Sequence, residues 1–238
     1  MTALLSCCRL GRHTNSKGDI DAALSQSQIK GIYDRIAPVY DHWGRFTESR
    51  ARHLALELSE IKDGETVLEV AVGTGMAFYE IANRNPSGIN LGIDLSPGML
   101  AMADKRLRSL PHRNFTLKNG TALDLPAADA IVDTLVNNYM FDLIPFDGMH
   151  DILMEFKRVL KPGGKLVLVN MTRGETPGSG IYEKVYTMFP KLMGGCRGVK
   201  MAEKLSEHGF TIIAREKITQ CFFPSEVILA RIDRSQTY

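Results

Sequence analysis

No apolar run in this chain approaches the roughly 18 residues that a membrane-spanning helix needs, which excludes a helical transmembrane protein. Excess charge is also missing. The 29 Lys+Arg and 27 Asp+Glu leave a net charge of +2, without the basic surplus of a dedicated nucleic-acid binder, so no nucleic-acid partner is expected. Cysteine is scarce: Cys7, Cys8, Cys196 and Cys221 form no CxxC pair and no zinc-ligand spacing, so no metal site is expected. Cys7 and Cys8 are adjacent and poorly placed to bridge each other, and the four read as reduced thiols of a cytoplasmic protein. No internal repeat or low-complexity block is present. The short stretch Ala3-Leu4-Leu5 has no basic residue before it and no clean cleavage site after it, so no targeting signal is expected. Residues 1–25 read as a poorly ordered arm, polar from Gly11 onward.

What is present fits one domain, expected over residues 26–238, with a 44% hydrophobic composition that suits a full core. Ile29, Ile32, Tyr33 and Ile36 recur at helical spacing until Pro38, which predicts a helix, a break and the aromatic run Tyr40-Asp41-His42-Trp43. A second helix is expected over Thr47 to Ser59, with Leu54 and Leu58 inward. Together the helices of residues 29–60 are expected to form a lid. Beyond the Asp63-Gly64 turn, strand and helix alternate. Strands are expected at Thr66–Val72, Asn90–Asp94, Phe115–Leu117, Ala130–Asn137 and Lys165–Asn170. Helices are expected at Met76–Asn83, Pro97–Leu107 and Met149–Leu160, the last ended by a turn at Lys161-Pro162-Gly163-Gly164. Phe210–Ile218 and Glu226–Ile232 read as two strands joined by a loop containing Pro224. The pattern predicts an α/β fold: a doubly wound, mostly parallel seven-stranded sheet with an antiparallel carboxyl-terminal pair.

In such sheets ligands bind beyond the carboxyl ends of the strands. Val72-Gly73-Thr74-Gly75 lies there, after a strand and before a helix. Asp94 ends the next strand, 19 residues after Gly75, where a carboxylate can accept both ribose hydroxyls of an adenosine. A dinucleotide fingerprint wants a third glycine three residues after the second, and that position is Phe78. Glu69, near the end of the first strand, would repel a pyrophosphate but not a sulfonium. Both features disfavour a nicotinamide dinucleotide and suit S-adenosyl-L-methionine. No Gly-Lys-Ser/Thr follows the turn, so a P-loop is excluded.

Three stretches, Val67–Gly75, Gly92–Leu100 and Arg158–Gly164, together resemble class I S-adenosylmethionine-dependent methyltransferases. The segment Tyr33–Asp41 resembles the opening of the ubiquinone/menaquinone C-methyltransferase group. The resemblance implies a Rossmann-like fold and S-adenosyl-L-homocysteine as product. It places Gly73 and Gly75 beside the methionyl part of the cofactor, with Val72 and Thr74 in the same loop. It puts Asp94 on the ribose, and Leu95 and Met99 on the adenine. Asn137 matches a residue whose backbone meets the methionyl group, and Tyr40 would meet the same end. Two positions depart from the family. Thr121 stands where an acid usually holds the adenine amino group, leaving that contact to the Ala122 or Leu123 backbone or to water. Ala71 stands where glycine is usual, and fits if its backbone is extended.

Methyl transfer from a sulfonium is an in-line displacement, so alignment and water exclusion are the main demands. His13, His42, His53, His112, His150 and His208 all read as surface residues, and no catalytic base is named. Tyr33 and Tyr40 flank the proline and are read as lid residues over the cofactor. The acceptor pocket is expected from the insertion 172–200, with Tyr182 and Tyr186, together with Tyr139. Apolar and aromatic walls with Lys184, Lys191, Arg197 and Lys200 nearby suit a hydrophobic acceptor. A quinone-like acceptor is the first reading. The alternative is a phosphatidylethanolamine N-methyltransferase in peripheral contact with a membrane, and a non-catalytic cofactor-binding protein is the third.

Overall fold

The computed structural model describes residues 21–22, 24–172, 188, 195–221 and 223–232. Its strands are β1 (Thr66–Val70), β2 (Ile89–Asp94), β3 (Phe115–Asn119), β4 (Val132–Asn138), β5 (Leu160–Met171), β6 (Phe210–Gln220) and β7 (Phe223–Ile232). The helices are α1 (Gln26–Thr47), α2 (Ser49–Ser59), α3 (Met76–Arg84), α4 (Pro97–Leu107), α5 (Met149–Val159) and α6 (Met201–Glu207). All seven strands form one sheet in the order β3-β2-β1-β4-β5-β7-β6. The first five run parallel, and β7 is antiparallel to both β5 and β6. This is the expected doubly wound α/β architecture with an antiparallel carboxyl-terminal pair. No helix among the described residues is long and apolar enough to cross a membrane.

The central strands are rich in apolar residues on both faces because both faces of the sheet are covered. Strand alternation sends Leu68, Leu135, Leu166 and Ile228 to one face, where Ile152, Leu153 and Phe156 of α5 pack on them. Val67, Val136, Val167 and Leu229 face the other way, against Ala51, Ala55 and Leu56 of α2. Leu54 and Leu58, expected as the inward residues of α2, are only half-buried. The small side chains of Ala51 and Ala55 let the helix settle close to the sheet, and that decides its rotation.

Two turns expected from proline and glycine are absorbed into strands. The segment Lys161-Pro162-Gly163-Gly164 lies within β5 as an irregularity, since Val132 pairs with Leu160 but Thr134 pairs with Lys165. Lys161 ties it to β4 through a 2.7 Å ion pair with Asp133. Pro224 is in β7 and pairs with Thr219 of β6. Its missing N–H is tolerated because pairing of β7 with β5 begins one residue later, at Ser225.

The break expected at Pro38 is also absent: α1 runs unbroken from Gln26 to Thr47 with Pro38 inside it. A mid-helix proline removes one hydrogen bond and crowds the preceding turn. Here tertiary contacts hold the helix on both sides of it. Before the proline, Asp34 accepts from Ser96 Oγ at 2.5 Å and from the Gly98 N–H at 3.1 Å. After it, Asp41 accepts from Thr74 Oγ1 at 2.6 Å and pairs with Arg106. Ser25 and Gln28 close the amino-terminal end with a capping box.

Candidate functional site

The order of the sheet reverses at β1, which has β2 on one side and β4 on the other, and a crevice opens beyond the carboxyl ends of these strands. A cavity of about 340 Å³ occupies it, with α1 as one wall. Of the residues named from sequence as cofactor ligands, Tyr33, Tyr40, Ala71, Gly73, Asp94, Leu95, Met99, Thr121, Ala122 and Leu123 all line this cavity. Tyr139, named for the acceptor, lines it too. Tyr182, Tyr186 and most of the 172–200 insertion lie outside the described residues, as does nearly all of the 1–25 arm.

The loop after β1 turns through three left-handed residues, Ala71 (φ 62), Gly73 (φ 57) and Gly75 (φ 78). A Cβ at Gly75 would stand 2.9 Å from Ala103 Cβ, so this glycine lets α3 and α4 meet. At Gly73 a Cβ would meet nothing within 4 Å, so its backbone faces open cavity. Phe78 is fully buried under the sheet where a dinucleotide fold places its third glycine. The room comes instead from Gly92, whose Cβ would lie 3.0 Å from the Phe78 ring. Asp94 is held by two backbone donors, the Gly73 N–H at 2.7 Å and the Ser96 N–H at 2.8 Å. Burial raises its carboxyl above the ordinary aspartate range, and these donors pull it partway back.

Ala71 is not extended, as the sequence reading required, but left-handed. An L-residue in that region costs about 1–2 kcal/mol, whereas glycine sits there freely but loses about 0.5–1 kcal/mol of chain entropy. Ala71→Gly is therefore expected to raise stability by about 0.5–1 kcal/mol, or roughly 1–4 °C in a thermal melt. No change in melting temperature would show that the backbone at Ala71 carries no strain.

Glu69, Val72, Thr74, Gly75 and Asn137 do not reach the cavity. Strand alternation explains two of them, because Val70 and Asn138, one residue along, face it instead. Asn137 turns inward, and its Nδ2 donates to the Val70 carbonyl at 2.9 Å. Thr74 serves α1 through Asp41, while Val72 is buried among Phe78, Ala103 and Leu107.

Glu69 is 1% exposed; Oε1 accepts from Asn138 Nδ2 at 3.0 Å and Oε2 has no hydrogen-bond partner among the described residues. Burial pushes its pKa from 4.5 to about 8. Between those values the unfolded chain has released this proton while the folded chain retains it, so stability falls as pH rises through the window. Glu48, raised from 4.5 to about 7 by burial, adds the same sign over a shorter range. Glu69→Gln is expected to flatten this fall, as read from urea unfolding at about pH 5, 6.5 and 8. An identical slope in the variant would mean that Glu69 is ionised in the folded protein.

On the β4 side the cavity is closed by Tyr139, Met140, Leu143, Ile144 and Pro145. Tyr139 is left-handed at φ 52, and its hydroxyl meets Ser225 Oγ at 2.8 Å. The α1 tyrosines meet in a tilted contact, 5.8 Å between ring centroids with 54° between the ring planes. The Tyr40 hydroxyl donates to Glu48 at 3.0 Å, and that of Tyr33 contacts Cys196 Sγ at 3.6 Å. Arg197 is almost fully buried, and its guanidinium donates to the Asp142 and Ile144 carbonyls at 2.9 and 2.6 Å. It pins the loop that forms this wall and does not itself line the cavity. Sequence reading missed the loop Leu143–Pro145, although its place just past β4 at the reversal was a usable signal. It also missed Gln26 and Lys30, which share helical spacing with Tyr33. Among the histidines, His150 and His208 meet each other at 3.0 Å on α5 and after α6, away from the cavity lining.

A family model described as a methyltransferase domain matches residues 67–164. The 2-phytyl-1,4-naphtoquinone methyltransferase of Synechococcus elongatus is 30% identical over 171 residues, covering 69% of this chain and 72% of that protein. The demethylmenaquinone methyltransferase of Lactobacillus johnsonii is 28% identical over 179 residues, covering 71% and 72%. Among solved structures, the geranyl diphosphate C-methyltransferase of Streptomyces coelicolor, crystallised with S-adenosyl-L-homocysteine, superposes with a TM-score of 0.63. It is 15% identical, and the match covers 77% of this chain and 79% of that one.

Proposed function

This chain belongs to the class I S-adenosylmethionine-dependent methyltransferases, and on that premise we propose that its methyl acceptor is a small, hydrophobic, quinone-like molecule. The protein is an enzyme, and its cofactor is S-adenosyl-L-methionine. The residues lining the cavity suit that cofactor. Gly73 leaves room for a ligand against the backbone, and Asp94 presents a carboxylate already oriented by two N–H groups. Leu95, Met99 and Leu123 offer apolar surface for a purine. When bound, the cofactor supplies an electrophilic methyl group on a sulfonium. The chain's own task is then to hold the ribose hydroxyls at Asp94 and to keep water out. Tyr33 and Tyr40 serve the second purpose, because α1 lays both over the cavity.

One observation carries the acceptor reading: among the described residues lining the cavity, Asp94 and Lys30 are the only ones with charged side chains. With Asp94 assigned to the cofactor and Lys30 paired to Asp34 at 3.0 Å, the remaining described walls are mainly apolar or aromatic, with Gln26, Ser96, Thr121 and Asn138 as uncharged polar residues among them. Such walls recognise a fused-ring or isoprenoid-bearing acceptor better than a charged amine. The names of the two curated relatives support the same class. Turnover of methyl-labelled S-adenosyl-L-methionine should be measured against a naphthoquinol, phosphatidylethanolamine vesicles and small amines. Label is expected in the naphthoquinol; label in phosphatidylethanolamine or amines alone would replace this reading.

A further inference from the structure

The inner face of α1 closes the cavity, and the outer face has a different chemistry. Arg35, Val39, His42 and Phe46 fall at i, i+4, i+7 and i+11, one stripe of a 3.6-residue helix, and all four are exposed. Val39 is 62% and Phe46 68% exposed, two of the largest apolar exposures among the described residues. Arg45 borders the stripe, and Arg50 follows at the start of α2; both are exposed. Among the described residues, none of the three arginines makes an ion pair. The acidic residues of this stretch are engaged elsewhere: Asp34 with Lys30 and Ser96, Asp41 with Arg106 and Thr74, and Glu48 with Tyr40. Since the net charge of the whole chain is only +2, this cationic stripe is local.

We infer that the outer face of α1 is a docking surface for an anionic lipid bilayer, with Val39 and Phe46 entering the interface and Arg35, Arg45 and Arg50 meeting the headgroups. The area argues for lipid over protein. Two such side chains cover at most about 300–400 Å², against roughly 800 Å² per partner in a stable protein interface. A bilayer surface needs only a few apolar anchors together with cations. Docked this way, the helix that closes the cavity lies against the membrane, and acceptors dissolved there are close at hand. The inference does not depend on which acceptor is methylated.

The test is co-sedimentation of the full chain with vesicles of phosphatidylcholine alone or with about 30% phosphatidylglycerol. Partitioning is expected only with the anionic vesicles and should weaken as salt rises. Arg35→Gln/Arg45→Gln is expected to lower it about tenfold or more, and Val39→Ser/Phe46→Ser comparably. Both double variants should keep wild-type melting temperature and S-adenosyl-L-homocysteine affinity, because these side chains are exposed and outside the cavity. Absence of wild-type binding, equal binding to neutral vesicles, or wild-type binding by the arginine pair would overturn the inference. So would a concentration-dependent dimer that Phe46→Ser abolishes, because the face would then belong to a second copy. No acceptor is present in this experiment, so its failure leaves the turnover result standing, and the reverse also holds.

Discussion

Gly73→Val is expected to remove measurable binding of S-adenosyl-L-homocysteine, a loss of more than about 100-fold by calorimetric titration. The position is open, since a Cβ there meets no atom within 4 Å, and it borders the cavity. Valine methyls would therefore fill space that the ligand needs. A second effect is independent of ligand. Gly73 has φ 57, a conformation costing a β-branched residue about 1–2 kcal/mol, so the variant should also melt a few degrees lower. Gly73→Ala bears a smaller version of both penalties and should retain weak binding. Wild-type affinity in a folded Gly73→Val protein would mean that the cofactor does not pass along this loop.

Asp94→Ala should weaken the same binding by about 1.5–3 kcal/mol, roughly 10- to 150-fold in Kd, the range for lost charge-assisted hydrogen bonds. Asp94 also organises the site, because its carboxylate holds the N–H groups of Gly73 and Ser96. Asp94→Asn separates the two contributions. The amide keeps one oxygen acceptor for the loop but loses the charge and the second acceptor. If both variants lose affinity to a similar extent, the carboxylate acts directly on the ligand. Asn at wild-type affinity would make Asp94 only a brace for the loop.

Local signals that coincide with tertiary packing were legible in the chain. The apolar stretches at Val67–Val70 and Leu166–Val169 are buried on both faces, and such burial leaves its mark in composition alone. The boundaries of α4 were readable because Ser96 caps the helix, its hydroxyl oxygen accepting from the Met99 N–H, and Pro97 sits at its first position. Much of the cavity lining was readable for the same reason. The loop after β1 and the end of β2 are close in sequence to the strands that place them.

Pairings between distant segments were not legible. Nothing local at Pro38 announces that Asp34 and Asp41, four and three residues away, are each anchored to the α3–α4 region. Proline chemistry alone predicts a break, and tertiary hydrogen bonds override it. Arg197 was read as a cation near the acceptor pocket, and its burial was not legible because the backbone carbonyls it donates to lie more than fifty residues away. The contact of Tyr33 with Cys196 spans 163 residues, and burial rather than residue type raises both groups above their ordinary pKa.

By itself the sequence determined the order and type of the elements, the position of the glycine loop and Asp94, and the exclusion of a P-loop and a dinucleotide fingerprint. Each of these depends on residues within one strand–turn–helix unit, where side-chain period and backbone freedom act over a few positions. The tertiary structure alone decided which side of each strand reaches the cavity, as with Val70 over Glu69 and Asn138 over Asn137. It also decided that Ala71 is left-handed, that α1 runs through its proline, and that Val39 and Phe46 stay uncovered. Those outcomes depend on what packs against each residue, and the packing partners are supplied by remote parts of the chain.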